Sequence, residues 1–189
     1  MDKKFDLNRL NVKAFARDGL SLQGQLSLAQ FARLAELALS PVESSLKGSG
    51  QAAQVSWAIQ AKSVPVSSGD SQIWMHLKAD VDLPMQCQRC MGEVKLTLQA
   101  NASFRFVADE ATAEAEDDES EEDLLVLVPE LNVFELIEDE LIMSAPIVPK
   151  HEICPTLVPM MAVDDAFEAA LEARPNPFAA LAKLKKKPN

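Results

Sequence analysis

A chain of 189 residues with 48% apolar side chains is long enough for one sizeable core and a tight fit for two full domains. The segment from Met1 to Gly19 carries charges every few residues, and no later apolar run reaches the length of a membrane helix, so neither a secretory leader nor a membrane span is expected. Three cysteines, two of them only three positions apart, fit a reducing compartment better than a disulfide framework. The sequence predicts a soluble, cytoplasmic protein of one domain with appendages.

The net charge of −11 is concentrated in one block of the chain. Ten acidic residues and no basic residue lie between Asp109 and Asp123, so the rest of the chain is close to neutral. Such a block repels itself and buries nothing, and it predicts a solvated, mobile loop over residues 109–123. A surface for a metal or a basic partner is the alternative interpretation of this block.

Alternation of apolar and polar residues with a period of two predicts four or five strands. They cover the segments 20–26, 55–59, 73–83, 94–106 and 124–128. Mostly short connections between them favour an antiparallel sheet.

Two capped amphipathic helices are predicted beside these strands. Ser27 begins the first, which ends at Pro41, and Asn132 begins the second, which ends at Pro146. In each case a glutamine or glutamate stands three residues after the cap and can return the hydrogen bond. The second helix has an acidic face that we expect to meet solvent: Glu135, Glu138, Asp139 and Glu140.

These elements predict an α+β protein in which an antiparallel β-sheet packs with two amphipathic helices. We expect a single domain over residues 1–150, with its folded body starting at about Leu20 and ending at about Pro149. Residues 151–189 are interrupted by prolines and predict a largely irregular tail. Within this tail, a short basic amphipathic helix is predicted over residues 177–187.

The most distinctive motif is Cys87-Gln88-Arg89-Cys90, which stands between the ends of two predicted strands. A thioredoxin-like redox pair needs a helix after its first thiolate, whereas a strand follows here, so redox catalysis is disfavoured. A zinc knuckle uses two thiolates from such a turn and needs two further ligands. A later H-x-x-C segment supplies them, and the candidate metal ligands are Cys87, Cys90, His151 and Cys154.

Simpler interpretations of these residues stay open. Cysteine is among the most buried residue types, so Cys87 and Cys90 can simply pack at the end of the sheet, and His151 can be an ordinary surface histidine. We expect His76, on an alternating strand, to be structural or exposed to solvent. The chain shows no catalytic triad pattern, phosphate loop or dinucleotide fingerprint, and we expect neither enzymatic activity nor a small-molecule substrate.

The C-terminal helix predicts a docking peptide carried on a flexible arm. Its apolar positions share one face: Phe178, Leu181 and Leu184. Its basic positions suit RNA phosphate or an acidic protein surface: Lys183, Lys185, Lys186 and Lys187. The alternative is that this face folds back on the chain's own sheet as a last piece of core.

Three stretches together resemble the YceD family of large ribosomal RNA subunit accumulation proteins: Cys87 to Cys90, Leu136 to His151, and Arg174 to Lys187. Their order and spacing fit that family, as does the acidic segment before the second helix, so the resemblance covers nearly the whole chain. It implies a non-catalytic factor in large ribosomal subunit biogenesis, which supports synthesis, processing or accumulation of 23S ribosomal RNA by binding precursor RNA, assembly proteins or both. A zinc-dependent RNA-binding module is the alternative.

Overall fold

The alternation of apolar and polar residues is matched by alternating burial along the strands, which form a single sheet. The computed structural model describes residues 5–39, 53–66 and 71–156, together with positions 164, 166, 167 and 178. The chain divides into two compact units, Met1–Ile153 and Cys154–Asn189. The helices and strands given below belong to the first unit. No helix in the described part of the chain is both long and apolar enough to cross a membrane.

The described residues of the first unit form four α-helices and five β-strands. The helices are α1 (Val12–Arg17), α2 (Ala32–Glu36), α3 (Glu110–Glu116) and α4 (Val133–Met143). The strands are β1 (Ser21–Ser27), β2 (Gln54–Val64), β3 (Gln72–Gln86), β4 (Glu93–Val107) and β5 (Asp123–Val126). Two 3-10 turns are also present, Leu28–Gln30 and Asp117–Glu119.

The strands lie in the order β1-β2-β3-β4-β5, and the first four pair antiparallel with their neighbours. The predicted α+β class and the antiparallel arrangement of these strands are confirmed. β5 is the exception, because it pairs parallel with β4. A parallel pair needs a crossover connection of a dozen or more residues, and the acidic block between the two strands supplies it.

The inner face of the sheet carries the core. α1 packs on β2 and β3, α4 packs on β3 and β4, and α2 packs against α4. Three fully buried aromatic rings come from α1, from the residue before α2 and from β4: Phe15, Phe31 and Phe104. Burial of each such side chain contributes about 1.5–3 kcal/mol to stability. The opposite face, called the outer face below, carries mostly polar residues.

The folded body begins before Leu20, earlier than predicted. Asn11 caps α1 by accepting a hydrogen bond from the Ala14 N–H at 2.9 Å. Val12 and Phe15 of this helix are fully buried. A helix of six residues is too short to give a clear period of 3.6 in the sequence, which is why the helical pattern did not reveal it.

The helix predicted from Ser27 is present but interrupted. The Ser27 hydroxyl accepts a hydrogen bond from the Ala29 N–H at 3.4 Å and caps a 3-10 turn. Phe31 then leaves the helical conformation, with φ −114° and ψ 82°, before α2 begins. Its ring packs edge to face against Phe134 of α4, with centroids 6.3 Å apart, so tertiary packing accompanies the break. From the sequence, residues 42–50 are also predicted to form a linker loop, and they lie outside the described residues.

The expectation that Glu138 faces solvent was wrong. Its buried carboxylate accepts hydrogen bonds from the backbone N–H groups of Arg33 at 2.7 Å and Leu34 at 3.0 Å. Since α2 has no side-chain cap at its own N-cap residue, Glu138 provides the cap from α4. The Arg33 guanidinium pairs with Glu138 at 2.9 Å and with Asp139 at 2.6 Å, and these two carboxylates raise the pKa of Arg33. A charged residue in a periodic pattern predicts exposure, which explains the error.

The acidic block, predicted to be a solvated, mobile loop, contains the short helix α3, and its mobility stays a prediction. Asp109 caps α3 by accepting a hydrogen bond from the Thr112 N–H at 2.8 Å. The buried guanidinium of Arg105 on β4 binds this crossover through Glu116 at 2.6 Å and Glu122 at 2.7 Å. One buried cation therefore offsets part of the repulsion among the acids. The charge pattern missed it because Arg105 lies outside the block.

Candidate metal centre

The turn between β3 and β4 carries two of the four predicted ligands. Cys87 directly follows β3, and its N–H donates to the Gly92 carbonyl at 2.8 Å. The Met91 N–H donates to the Cys87 carbonyl at 2.8 Å, which closes a tight turn containing Cys90. Met91 has a φ of 60°, a left-handed conformation that residues other than glycine rarely adopt. The backbone of the hairpin tip thus brings the two thiols close together.

The second pair of ligands follows α4, and the hairpin tip binds this segment through main-chain groups. The Gln88 N–H donates to the Pro149 carbonyl at 2.8 Å. The Arg89 guanidinium donates to the carbonyl of His151 at 2.9 Å and to that of Glu152 at 3.2 Å. Arg89 is therefore a positioning residue for the segment. Its role could not be predicted from the sequence, because its acceptors are backbone carbonyls.

All four predicted ligands meet at this point. The ligand atoms of Cys87, Cys90, His151 and Cys154 lie within 4.8 Å of one another. The Cys90 Sγ and His151 Nδ1 atoms are 3.5 Å apart. Zinc bonds of about 2.3 Å to sulfur and 2.0 Å to nitrogen at a tetrahedral angle separate these two atoms by about 3.5 Å. The cluster has the size and donor types of a site that can hold one metal ion.

The hydrogen bond on the far side of the imidazole fixes which ring nitrogen is available. His151 Nε2 lies 2.9 Å from the Glu93 carbonyl oxygen. A carbonyl can only accept, so Nε2 donates the proton of this hydrogen bond, and Nδ1 is the ring nitrogen that faces the cysteines. Metal-binding histidines commonly donate their second N–H to a carbonyl or carboxylate, which orients the ring. The Glu93 carbonyl supplies this support, and sequence reasoning could not find it.

The environment of Cys87 favours its thiolate. Burial raises the pKa of this thiol, but hydrogen bonds from the backbone N–H groups of Cys90, His151 and Arg89, joined by the His151 side chain, together lower it to about 5. The thiolate is the form of cysteine that binds metal ions. Backbone N–H groups directed at a sulfur would therefore stabilise the same charge that a bound cation neutralises.

The geometry bears on the alternatives left open by the sequence. Cys87 is fully buried, as simple packing would have it, but Cys90, His151 and Cys154 are half-buried and converge with it. The two cysteines of the turn are followed by strand β4, whereas a thioredoxin-like pair lies at the N-terminus of a helix and uses its dipole. Four protein ligands complete a tetrahedral site, which is the arrangement of structural zinc centres.

The other predicted contact residues lie in the C-terminal tail, of which the structure describes few positions. Phe178 is 70% exposed, and the remaining tail residues named for partner contact lie outside the described part of the chain: Leu181, Leu184, Lys183, Lys185, Lys186 and Lys187. Their role stays a prediction, as does the helix over residues 177–187. His76 lies on the outer face of β3, with its Nδ1 3.0 Å from the Ser103 hydroxyl.

A mostly antiparallel sheet covered by helices on one face, with a cluster of three cysteines and one histidine beside its central hairpin, defines a small α+β protein with a candidate structural metal centre. The sequence profile described as Large ribosomal RNA subunit accumulation protein YceD matches residues 75–185. The match covers more than half of the chain, which therefore belongs to the YceD family.

A relative shows the same relationship. The Large ribosomal RNA subunit accumulation protein YceD of Haemophilus influenzae is 33% identical over 112 residues, which cover 58% of this chain and 64% of the relative. The chain thus spans less than two thirds of that relative's length. No solved structure matches the chain significantly.

Proposed function

We propose that this protein is a non-catalytic, cytoplasmic factor that supports the accumulation of large-subunit ribosomal RNA, and that a structural zinc ion holds its hairpin tip to the segment after α4. Membership of the YceD family is the observation that carries the biological role. The four-ligand cluster carries the role of the metal. Precursor ribosomal RNA, assembly proteins, or both are the proposed partners, and the exposed Phe178 with the basic tail is a proposed contact.

The donor set favours zinc over other cellular divalent cations. Three sulfurs and one imidazole suit zinc, whereas magnesium and calcium prefer oxygen ligands. A site filled by four protein ligands leaves no open position for a reactive water, so the proposed role of the ion is structural. Zinc would neutralise the thiolates and connect two segments that are about sixty residues apart in the chain, as the Cys90 and His151 pair shows.

Metal analysis of the purified full-length chain tests this part of the proposal. We expect about one zinc ion per chain, and His151→Gln should lose most of it. The chain contains only two histidines, so His76→Gln is the matched control and should keep the full zinc content. A parent protein without stoichiometric zinc, after purification under reducing conditions, would show that the cluster is not a zinc site.

Complementation tests the biological role. In bacteria that lack their own member of the family, the parent chain should restore the ratio of 23S to 16S ribosomal RNA, measured together with precursor levels. Cys90→Ser should restore it less well at the same protein level, because the hairpin tip loses one ligand. If the parent chain is produced in soluble form and leaves the ratio unchanged, the proposed role in ribosomal RNA accumulation is wrong.

A further inference from the structure

The outer face of the sheet presents three rows of side chains, which we call the outer rows. Each row consists of residues that are paired across β2, β3 and β4, and the second and third rows also include a residue of β1. The first row is Lys62, Trp74 and Arg105; the second is Ser21, Gln60, His76 and Ser103; the third is Gln23, Ala58, Lys78 and Asn101. All of these residues except Arg105 are exposed or half-buried. The acidic crossover covers Arg105 at the end of the first row through Glu116 and Glu122, and the other residues of the rows are accessible.

The outer rows differ in charge from the protein as a whole. The chain carries −11, yet the eleven positions of the rows include no carboxylate and three permanent cations. Arg105 is already bound by the acidic crossover, whereas Lys62 and Lys78 are exposed. The next row toward the hairpin tip contains Asp80, which marks the boundary of the basic region. The positive charge of the outer rows suits a polyanionic ligand and does not suit a basic partner.

Ring systems and a shallow depression accompany these cations. Trp74 and His76 are half-buried on alternate positions of β3, so their side chains share the outer face. Trp74 Nε1 donates to Gln72 Oε1 at 3.2 Å, and His76 Nδ1 contacts the Ser103 hydroxyl at 3.0 Å, which orients both rings. Beside them lies a depression of about 450 Å³, lined by residues that include Gln23, Ala58, Gln60, His76 and Lys78. The small Ala58 side chain leaves space between its longer neighbours.

We propose that the outer rows bind single-stranded RNA. Unpaired bases can stack on Trp74 and enter the depression beside His76, while Lys62 and Lys78 contact phosphates. Amide and hydroxyl groups of Gln60, Asn101 and Ser103 offer hydrogen bonds to base edges or to the ribose 2′-hydroxyl. A flat sheet cannot enter the deep, narrow major groove of duplex RNA, so a single strand is the form that fits. The choice of RNA as ligand rests on the proposed function.

Direct binding measurements test the surface. The full-length, zinc-loaded protein is titrated into a fluorescently labelled, unstructured RNA strand such as oligouridylate, at several salt concentrations. Lys62→Gln and Lys78→Gln should each weaken binding and reduce the slope of log affinity against log salt by about one. Lys95→Gln is the matched control: it makes the same change at an exposed position of the outer face near the hairpin tip, and it should leave affinity unchanged.

The aromatic contribution has its own pair of variants. Trp74→Leu should lower RNA affinity by roughly tenfold or more, and Trp74→Phe should recover part of that loss because it keeps a stacking surface. Since Trp74 is half-buried, thermal unfolding checks that both variants stay folded. The exposed lysine variants decide the question even if Trp74→Leu unfolds.

The inference is overturned if the parent chain does not bind the RNA strand, or if Lys62→Gln and Lys78→Gln bind as well as Lys95→Gln. It is also overturned if these variants keep RNA affinity but lose capture of a ribosomal protein, since the face would then be a protein interface. The complementation experiment tests the role in ribosomal RNA accumulation, so its failure can be distinguished from failure of the RNA-binding experiment. An in vitro loss confined to the outer rows supports the RNA surface even if the parent chain does not restore ribosomal RNA in cells.

Discussion

The two ends of strand β4 are held by different chemistry. Near its first residue, the cysteines and histidine converge from two segments, with ligand atoms within 4.8 Å. Near its C-terminal end, Arg105 forms ion pairs with Glu116 and Glu122 of the same chain. Glu93 and Arg105 are twelve positions apart in the strand, which corresponds to about 40 Å at the usual rise per residue. The Arg105 end has all of its partners within the chain, whereas the other end has the donor groups that could hold a metal ion.

This difference indicates how stability is divided in the molecule. An ion pair with an almost buried arginine depends little on solution composition, since its charges neutralise each other where they stand. A cluster of thiolates and imidazole gains most of its stabilisation from a bound cation, and so depends on metal concentration and on the redox state of its sulfurs. We therefore expect the hairpin tip to respond to conditions that leave the acidic crossover unchanged.

Metal removal should have the largest effect, and it tests the difference between the two ends of β4 directly. A chelator should lower the free energy of unfolding of the zinc-loaded protein by about 3 kcal/mol or more. Hydrogen exchange should then accelerate at the amides of Cys87 and Gln88 and stay unchanged around Arg105. Equal loss of protection at both ends would show that the two ends unfold as one unit.

Arg105→Met should have the next largest effect, at the other end. The substitution keeps most of the apolar stem but leaves Glu116 and Glu122 without their cation, so the free energy of unfolding should fall by about 2 kcal/mol. Zinc content should not change. Arg9→Met is the control, because its pair with Glu130 is mostly exposed and should be worth less than about 1 kcal/mol. Similar losses for both variants, measured by denaturant unfolding, would argue against a special role for Arg105.

Met91→Gly sharpens the comparison at the hairpin tip. Met91 has a φ of 60° and is 61% exposed, so glycine relieves the left-handed conformation at little cost in buried surface. We expect a gain of about 0.5–1 kcal/mol in the free energy of unfolding, in both metal-free and metal-loaded protein. Gly19→Ala is the reciprocal control: Gly19 has the same φ with open space around it, so alanine should be destabilising. A loss of stability on Met91→Gly would contradict this account.

Glu140→Gln should have the smallest effect, and one that depends on pH. Burial, followed by the charges of Asp123 and Asp139, raises the pKa of Glu140. The neutral form is favoured in the folded protein, so its contribution is present below the ordinary pKa of 4.5 and lost as pH rises through the raised value. The glutamine variant should be more stable than the parent at neutral pH and equal to it at lower pH. If denaturant titrations show that the parent is the more stable of the two at neutral pH, the sign of this effect is wrong.

The convergence of the cysteines and His151 could be predicted because their chemistry is restrictive. The chain contains three cysteines and two histidines, and few sequence spacings bring such groups together by chance. The strands and α4 were predictable for a similar reason, since alternation and the Asn132 cap are local signals that the structure confirms. Local patterns reported local structure correctly, including most of the inner face of the sheet.

The remaining features depend on pairings that the sequence does not encode locally. The chain has 29 acidic and 18 basic residues, so the choice of Glu138 for Arg33, or of Glu116 for Arg105, cannot be read from residue type. The parallel pairing of β5 depends on the path of the acidic crossover, which Arg105 helps to fix. Charge alone predicted solvation for residues that tertiary contacts bury.

The cap that Glu138 provides to α2 has a consequence for synthesis of the chain. Glu138 follows Arg33 by 105 residues, and a ribosome adding about 5–20 residues per second delivers it about 5–20 s later. Over that interval the N–H groups of Arg33 and Leu34 must be satisfied by water or another partner. The pairing of Leu10 with Leu131 waits for the same late region. The first thirty-odd residues are therefore synthesised early but form these tertiary contacts late. The nascent N-terminal segment stays exposed to solvent and chaperones until nearly three quarters of the chain has been synthesised.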